Sequence, residues 1–404
     1  MDISRKISEV ETELVELRRD FHRHPELGLQ EVRTGEKVAD YLKNLGLTVS
    51  RMNVTGVVGV LRGAEKGPTL LLRADMDALP IQEETGLPYQ SGVDGVMHAC
   101  GHDAHTAMML TAAKILSPLK DRLAGNIKFV FQPNEENVGA RAMIDEGLME
   151  QPKVDACFGV HVWAPLKTGQ VGISAGPVMA GMEHFELVIK GRGGHTATPQ
   201  SAVDPVLAAA AVINGVQVIQ TREIDVLKEP AILMFGKIEG GTASNVIPDT
   251  VTLSGTMRYM FAGPEDSPDN PKNRFERVVA NICAAHRAEY DLAFLYGHPT
   301  LVNHPEISNL VQHVAGCEMD PKPEILPVVT LAGEDFSEFT TRVPGAFCFI
   351  GAGDPHKEVV YPHHHPRFDI DENALRIGVE LIVRSTLYFF QNAECLSCLS
   401  RSAP

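Results

Sequence analysis

The feature that most constrains this chain is an alternation of strand-like and helix-like patterns over its first ~180 residues. Short apolar runs, such as Thr69–Arg73 and Asn126–Gln132, predict buried strands, and the small and apolar residues of Thr106–Leu116 predict a helix. Val154–Trp163 has a strand pattern again. Strands that alternate with helices in this way form an α/β sheet with helices packed on its faces.

Polar side chains lie at or just beyond the ends of these predicted strands. They are Asp75, Glu135, Glu136 and His161. Open α/β sheets bind their ligands in the crevice outside the carboxyl ends of the strands. We therefore expect these side chains to converge on one site, although they are far apart in sequence.

A second unit is predicted to be inserted into this domain. Its pattern predicts strands at 185–190, 231–237, 250–258 and 290–295 and helices at 204–221 and 273–288. The order β-α-β-β-α-β is that of the ferredoxin-like split motif. We expect a first domain of residues 1–183 and 298–404 and an inserted domain of residues 184–297.

Charge and apolar patterning argue against several classes of partner. The net charge of −16 repels a phosphate backbone, and no Lys/Arg-rich run offsets it, so no nucleic acid is expected. The longest apolar stretches are strand-sized, so no membrane span is expected. The N-terminal residues form one apolar helical face instead of a signal-peptide core, and the seven cysteines are scattered. A cytoplasmic location is expected.

The strongest signal for chemistry is the run His98–His105, which contains a thiol and three imidazoles. Cys100 and His102, two residues apart, can point the same way from an extended loop, and Gly101 allows a tight backbone path. The alternative is a polar turn before a helix that is capped by Asp103 or Thr106. That alternative gives no use for so many ligand-type side chains, so we favour a metal site.

Glu135 and Glu136 follow an apolar strand and form the second signal. Adjacent carboxylates repel each other unless a cation or a proton lies between them. A metal would take one carboxylate and leave the other to handle protons. A solvated acidic turn is the alternative, which the apolar strand and Pro133 before the pair make less convincing.

Three successive histidines, His363, His364 and His365, stand between two prolines near the end of the chain. We expect one of them to bind metal. Neighbouring side chains in an extended segment face opposite ways, so the pattern leaves open which one.

Three further residues are weaker candidates taken alone. His161 is a lone histidine in an apolar strand, where a satisfied core residue is the common case. His195 follows a glycine turn, and Asn245 lies in a loop where asparagine usually serves the turn itself.

Motifs spread over nearly the whole chain resemble the amidohydrolase family of dinuclear metallopeptidases. This family includes hippurate hydrolases, bacterial aminoacylases, aminobenzoyl-glutamate hydrolases and plant auxin-conjugate hydrolases. The matching segments are Asp20–Leu27, Leu72–Pro80, His98–His105, Phe131–Glu136, Gly193–His195, Ser244–Pro248, Gly333–Phe336 and His365–Phe368. The resemblance implies a zinc-peptidase-like catalytic domain, with a mixed central sheet flanked by helices, and an inserted α+β ferredoxin-like domain for lid formation or dimerisation.

The resemblance also implies roles for individual residues. The implied metal ligands are Cys100, His102, Glu136, His161 and, by the family pattern His-x-Pro-x-Phe, His364. Glu135 is the implied general base, His195 would reach the site of the other subunit, and Asn245 would help to hold the substrate carboxylate. Asp75 and Asp77 are expected to support the ligands, since distant relatives carry His-x-Asp there. Asn134 replaces an alanine of many relatives, with little expected consequence.

Five ligands are too many for one tetrahedral zinc ion, but they suit two divalent transition metal ions per subunit. Zinc, manganese, cobalt and nickel all remain open. Cys100 would bind as a thiolate and could bridge the two ions. The expected assembly is a homodimer, or a dimer of dimers, formed through the inserted domain.

The expected substrate is a small N-acyl-L-amino acid, which is cleaved to a carboxylic acid and an amino acid. A dipeptidase or carboxypeptidase on the same scaffold is the first alternative. A metal-dependent binding protein without turnover is the second. The presence of Glu135 argues against the second, because a pure binding site needs no spare carboxylate.

Overall fold

The computed structural model describes residues 3–357 and 359–392, and its contacts form two compact units. The first unit comprises the described residues up to Gly176, Val302–Val328 and those from Glu338 onward. The second unit comprises Pro177–Leu301 and Val329–Ser337.

The helices and strands are numbered along the whole chain. The helices are α1 Ile3–Arg23, α2 Val32–Asn44, α3 His102–Leu116, α4 Ala140–Asp145, α5 Pro205–Gly215, α6 Pro271–Ala285, α7 Pro305–His313, α8 Ser337–Thr340 and α9 Asn373–Gln391. The strands are β1 Thr48–Met52, β2 Gly56–Arg62, β3 Glu65–Asp75, β4 Ala124–Gln132, β5 Ala156–Lys167, β6 Gln170–Gly172, β7 Gly176–Lys190, β8 Gly194–His195, β9 Ala231–Gly240, β10 Val246–Ile247, β11 Thr250–Tyr259, β12 Glu289–His298, β13 Leu301–Asn303, β14 Glu324–Leu326, β15 Thr330–Gly333 and β16 Gly345–Gly353.

The first unit contains a mixed sheet with the strand order β1-β2-β4-β3-β5-β16-β6-β14. Its four central strands, β4, β3, β5 and β16, run parallel to one another. The carboxyl ends of these strands therefore lie at one edge of the sheet, as the sequence pattern predicts. The predicted mixed α/β class is confirmed.

Helix α3 is the most buried helix of this unit and contacts α1, α9 and the central strands. It is apolar around most of its circumference, which is typical of a helix that lies inside a core. Gly378 of α9 lets the two helices approach closely, since an added Cβ would lie 2.2 Å from the sulfur of Met108. This packing fixes the amino end of α3 at the carboxyl edge of the sheet.

In the second unit, four antiparallel strands pair in the order β12-β7-β11-β9, and the short strand β15 pairs parallel with β7. Helices α5 and α6 pack against this sheet. The longer elements, β7-α5-β9-β11-α6-β12, follow the predicted order β-α-β-β-α-β, and the two-residue strands β8 and β10 lie between them. Asp204 caps α5, because its Oδ1 accepts a hydrogen bond of 2.8 Å from the Val206 N–H. The predicted length of this helix is wrong: α5 ends at Gly215, and a π-helical turn follows at Ile219–Glu223.

Within residues 3–357 and 359–392, no helix is both long enough and apolar enough to cross a bilayer.

Candidate metal centre and active site

Cys100, in the loop before α3, and His102, the first residue of α3, lie at the carboxyl edge of the first sheet. Gly101 between them has a φ of +93°, and an added Cβ would lie 2.3 Å from Val162 Cγ2. Only glycine combines this backbone conformation with so close an approach to β5. The tight path expected at Gly101 is confirmed.

The turn that follows β4 carries Glu135 and Glu136. Asn134 and Val138, on either side of the pair, have left-handed φ values of +58° and +62°. Asparagine adopts this conformation more readily than most residues, so Asn134 suits the turn better than alanine would. The Asn134 N–H also donates to the buried carboxylate of Glu31 at 2.9 Å, which fixes the start of the turn.

Five of the predicted residues come together in two groups of three that share Cys100. The first group is Cys100, His102 and His161, and the second is Cys100, Glu136 and His364. Within each group, one possible ligand atom from each residue lies within 4.8 Å of the others. The Cys100 sulfur is 3.5 Å from His161 Nε2, and His364 Nε2 is 3.3 Å from Glu136 Oε1.

The three consecutive histidines contact different neighbours. His364 has a φ of +65°, and its N–H donates to the Ala99 carbonyl at 2.8 Å, which brings its ring to Cys100. His363 stacks on the His161 ring instead, with ring centroids 5.2 Å apart. His365 stacks on Tyr361.

Glu135 lies beside the two groups without belonging to either of them. Its Oε2 is 3.8 Å from His102 Nε2, and it joins His102 and Glu136 in a further close group. Its carboxylate therefore lies near the possible ligands, although each of the two groups already has three members without it.

Asp75 and Asp77 form polar contacts with the ligand-type residues and their neighbours. Asp75 forms an ion pair of 2.5 Å with Arg73 and a hydrogen bond of 2.6 Å with His105 Nδ1. Asp77 accepts a hydrogen bond from the Glu136 N–H at 3.1 Å, and its backbone carbonyl is 2.9 Å from His102 Nδ1. Both carboxylates are thus engaged in orienting their neighbours.

Cys100, His102, Glu135, Glu136, His161 and His364 form a cluster, in which the negative groups favour positive charge on their neighbours. Hydrogen bonds to Cys100 and Glu136 raise the pKa of His364 to about 10. Burial lowers the pKa of His102, but the negative charges of Asp75 and Cys100 outweigh it and hold that pKa well above its usual range. Burial and the charge of Glu136 raise the pKa of the Cys100 thiol. Either protons or a cation can supply the compensating charge.

The residues of the cluster fit a transition-metal cation. A thiol, imidazoles and a carboxylate are donors that such metals prefer. The buried Nε2 of His102 has no hydrogen-bond partner within the described residues 3–357 and 359–392. A cation at this point would satisfy an atom that otherwise lacks a partner.

His195 and Asn245 come together in the second unit, where both line a cavity of about 890 Å³. Strand β8 pairs with β10 so that His195 faces Val246. Both side chains are exposed. The glycine turn before His195 is held by Asp249, whose Oδ1 accepts a hydrogen bond of 2.7 Å from the Gly193 N–H.

A sequence profile described as peptidase family M20/M25/M40 matches residues 71–387, most of the chain. The chain belongs to this family. It is 37% identical to thermostable carboxypeptidase 1 of Saccharolobus solfataricus, over 94% of this chain and 96% of the relative. It is 42% identical to an N-acyl-L-amino acid amidohydrolase of Geobacillus stearothermophilus, over 76% of this chain and 82% of the relative.

A solved structure resembles the chain over almost its full length. The YXEP protein of Bacillus subtilis, described as a dinuclear metal binding peptidase from the M20 family, has a TM-score of 0.81 and 32% identity. The match covers 95% of this chain and 99% of that chain. The chain is therefore a hydrolase of the M20 type, and the resemblance seen in its motifs is confirmed.

Two polar contacts of this M20 site were not assigned from the sequence. Glu31 holds the turn that carries Glu135, but a single glutamate before a helix gives no signal of such a role. His105 contacts Asp75 and the strand that carries His161. Its position three residues after His102, on the same helix, was the available signal, because residues at that spacing lie on one face.

Proposed function

We propose that this chain is a metal-dependent amidohydrolase that cleaves the amide bond of N-acyl-L-amino acids, with two divalent transition metal ions per subunit. One observation carries the proposal: the two groups of three ligand-type residues share Cys100, and the carboxylate of Glu135 lies beside both. The proposed ligands are Cys100, His102 and His161 for one ion and Cys100, Glu136 and His364 for the other. Similarity to the B. subtilis peptidase, which is described as binding a dinuclear metal, supports a two-ion site.

When bound, the divalent ions supply Lewis-acid chemistry, which polarises the amide carbonyl and acidifies water. Glu135 acts as the general base: its carboxylate accepts a proton from the attacking water and then delivers that proton to the leaving amine. The backbone of the 134–138 turn holds Glu135; Glu31 accepts from the N–H at the start of that turn, and Asp77 accepts from the Glu136 N–H at its centre. The position of the base is thus fixed by hydrogen bonds from the backbone of its turn to two carboxylates.

The residues of the second unit are assigned to the substrate in the same proposal. The Asn245 amide would donate to the substrate carboxylate, and His195 would donate to the oxygen that becomes negative as the amide is attacked. Their joint position on one cavity supports this assignment. A homodimer formed through the second unit, with His195 of one subunit serving the other, and a cytoplasmic location complete the proposal.

A peptidase activity is the second candidate, because the S. solfataricus relative is named a carboxypeptidase. The two candidates differ in whether the acyl group carries a free α-amino group. Such an amine needs an acidic or carbonyl anchor in the substrate site.

The decisive experiment is a substrate panel with the metal-free protein reloaded separately with zinc, manganese, cobalt or nickel. The panel contains acetyl, benzoyl, indoleacetyl and aminobenzoyl amino acids, with Gly-Gly and longer peptides beside them. We expect N-acyl amino acids to be cleaved and free dipeptides to be cleaved poorly. Cleavage of peptides alone would favour the peptidase, and binding of N-acyl amino acids without cleavage by any metal form would favour a binding protein.

A further inference from the structure

His105 is a fully enclosed histidine whose two ring nitrogens both have partners. Nε2 lies 2.9 Å from the backbone N–H of Val162, which can only donate. Nε2 is therefore the unprotonated acceptor, and Nδ1 carries the hydrogen. Nδ1 donates that hydrogen to Asp75 Oδ1 at 2.6 Å.

The backbone carbonyl of the same residue, Val162, contacts the ring of His161. The Val162 carbonyl oxygen lies 2.5 Å from His161 Nδ1 and 3.1 Å from His363 Nε2. A carbonyl oxygen only accepts hydrogen bonds, so His161 Nδ1 carries a hydrogen and its Nε2 is left with a lone pair. That Nε2 is the atom that lies 3.5 Å from the Cys100 sulfur.

We propose that His105 is a positioning residue: by accepting from the Val162 N–H, it holds the backbone of the residue whose carbonyl fixes the ring direction and tautomer with which His161 binds its metal ion. This inference rests on the proposed dinuclear site. A histidine that ligates a metal commonly donates its second ring N–H to a backbone carbonyl or a carboxylate, and such partners tune the affinity of the ion. Here the residue that provides the carbonyl, Val162, is itself held through its N–H by a second histidine, His105.

His105 could instead be a metal ligand, because Asp75, His102 and His105 also form a close group. The contacts argue against this. Both nitrogens of His105 are engaged, and Asp75 is neutralised by Arg73 and accepts from His105. A cation in that group would have to displace the Arg73 guanidinium.

Two substitutions at position 105 separate the proposed role from simple packing. The amide oxygen of His105→Gln reaches about as far as Nε2, so it can accept from the Val162 N–H. His105→Asn reaches only as far as Nδ1, so it can donate to Asp75 but leaves the Val162 N–H without its acceptor. A role for His105 in holding the Val162 backbone predicts that the glutamine variant keeps the metal affinity that the asparagine variant loses.

Asp75→Asn tests the same chain of contacts with little change in volume. The asparagine oxygen would face Arg73, so the NH₂ group would face His105 Nδ1. His105 would then carry its hydrogen on Nε2, which points at the Val162 N–H. We expect Asp75→Asn to show the same loss of metal affinity as His105→Asn. It therefore tests the proposal independently if His105→Asn folds poorly.

The readout is metal binding, measured without substrate. Each protein is equilibrated in a series of zinc or cobalt buffers, the bound metal per chain is counted, and the cobalt absorption spectrum is recorded. For His105→Asn and Asp75→Asn we expect one of two ions to bind roughly 10- to 100-fold more weakly. The ion held by Glu136 and His364 should bind as in the wild type, and His105→Gln should stay within a few-fold of the wild type at both sites.

Thermal unfolding of the metal-free proteins shows whether the variants fold. The proposal would be overturned if all three variants bound both ions with the affinities of the wild type. Equal losses in the glutamine and asparagine variants would also overturn it, because they would indicate packing alone. A wild-type protein that binds no transition metal would instead overturn the proposed function on which the inference rests.

Discussion

In the first unit, the side chains of the cluster are buried or half-buried apart from His364, and nearly every one contacts a second polar group that orients it. In the second unit, His195 and Asn245 are exposed, and a short strand pair and one aspartate place them. The side chains of the first unit are thus held by buried polar contacts, whereas His195 and Asn245 are held by a surface turn.

This difference has a consequence for the two kinds of residue. Buried polar groups that contact one another are costly to separate, so changes in the first unit should act on metal binding as well as on rate. Exposed residues of the second unit should act on substrate alone. Substitutions in the two units are therefore expected to change different quantities: metal binding and rate in the first unit, and rate or substrate binding alone in the second.

The largest effect is expected for Cys100→Ala, which removes the one residue shared by both groups. Both ions should bind far more weakly, and activity should fall to the background level. The measurement is bound metal per chain after dialysis, together with hydrolysis of the best N-acyl amino acid. Cys157→Ala is a matched control, because Cys157 is a buried thiol of β5 outside both groups. Unchanged metal content in Cys100→Ala would remove Cys100 from the site.

Glu135→Gln should lower kcat by about 10²- to 10⁴-fold, the usual contribution of a general base, while both ions remain bound. The neighbouring variant Glu136→Gln is the matched comparison. It changes a proposed ligand, so it should lose metal. Metal content and kcat are measured for both variants. Loss of metal from Glu135→Gln with retention in Glu136→Gln would mean that the base and the ligand have been interchanged.

His195→Ala and Asn245→Ala should leave metal content unchanged, because their cavity contributes no proposed ligand. Loss of a donor to the developing negative oxygen predicts a fall in kcat of roughly 100-fold for His195→Ala. Loss of a hydrogen bond to a carboxylate predicts a rise in KM of about 10-fold or more for Asn245→Ala. Metal loss in either variant would abolish the contrast between the two units.

Much of the first unit could be predicted from the sequence because its signals are local. Parallel strands run to one edge of a sheet, so Glu136, which follows β4, and His161, which lies within β5, both come close to Cys100. The distinction among His363, His364 and His365 could not be predicted from spacing. It depends on a left-handed residue at His364 and on the hydrogen bond from its N–H to Ala99.

The family resemblance implies a role for His102 but none for the other two imidazoles of the His98–His105 run, His98 and His105. All three are buried, but only His102 joins either of the two groups that share Cys100. His105 is occupied by the Val162 N–H, and this contact depends on how β5 packs beside α3. The start of α3 at His102, instead of at Thr106, has a related cause: Gly101 turns the backbone directly into the helix.

The smallest effect is expected at Asp249, which acts on His195 only through the glycine turn. Asp249→Ala removes the acceptor of the Gly193 N–H, a contact of about 0.5–1.5 kcal/mol, so kcat/KM should fall by about 2- to 10-fold. Asp249→Asn keeps an acceptor oxygen and should stay close to the wild type. If the aspartate serves His195 alone, Asp249→Ala should have no further effect in a His195→Ala background. An equal loss in that background would mean that the turn supports the substrate cavity by another route.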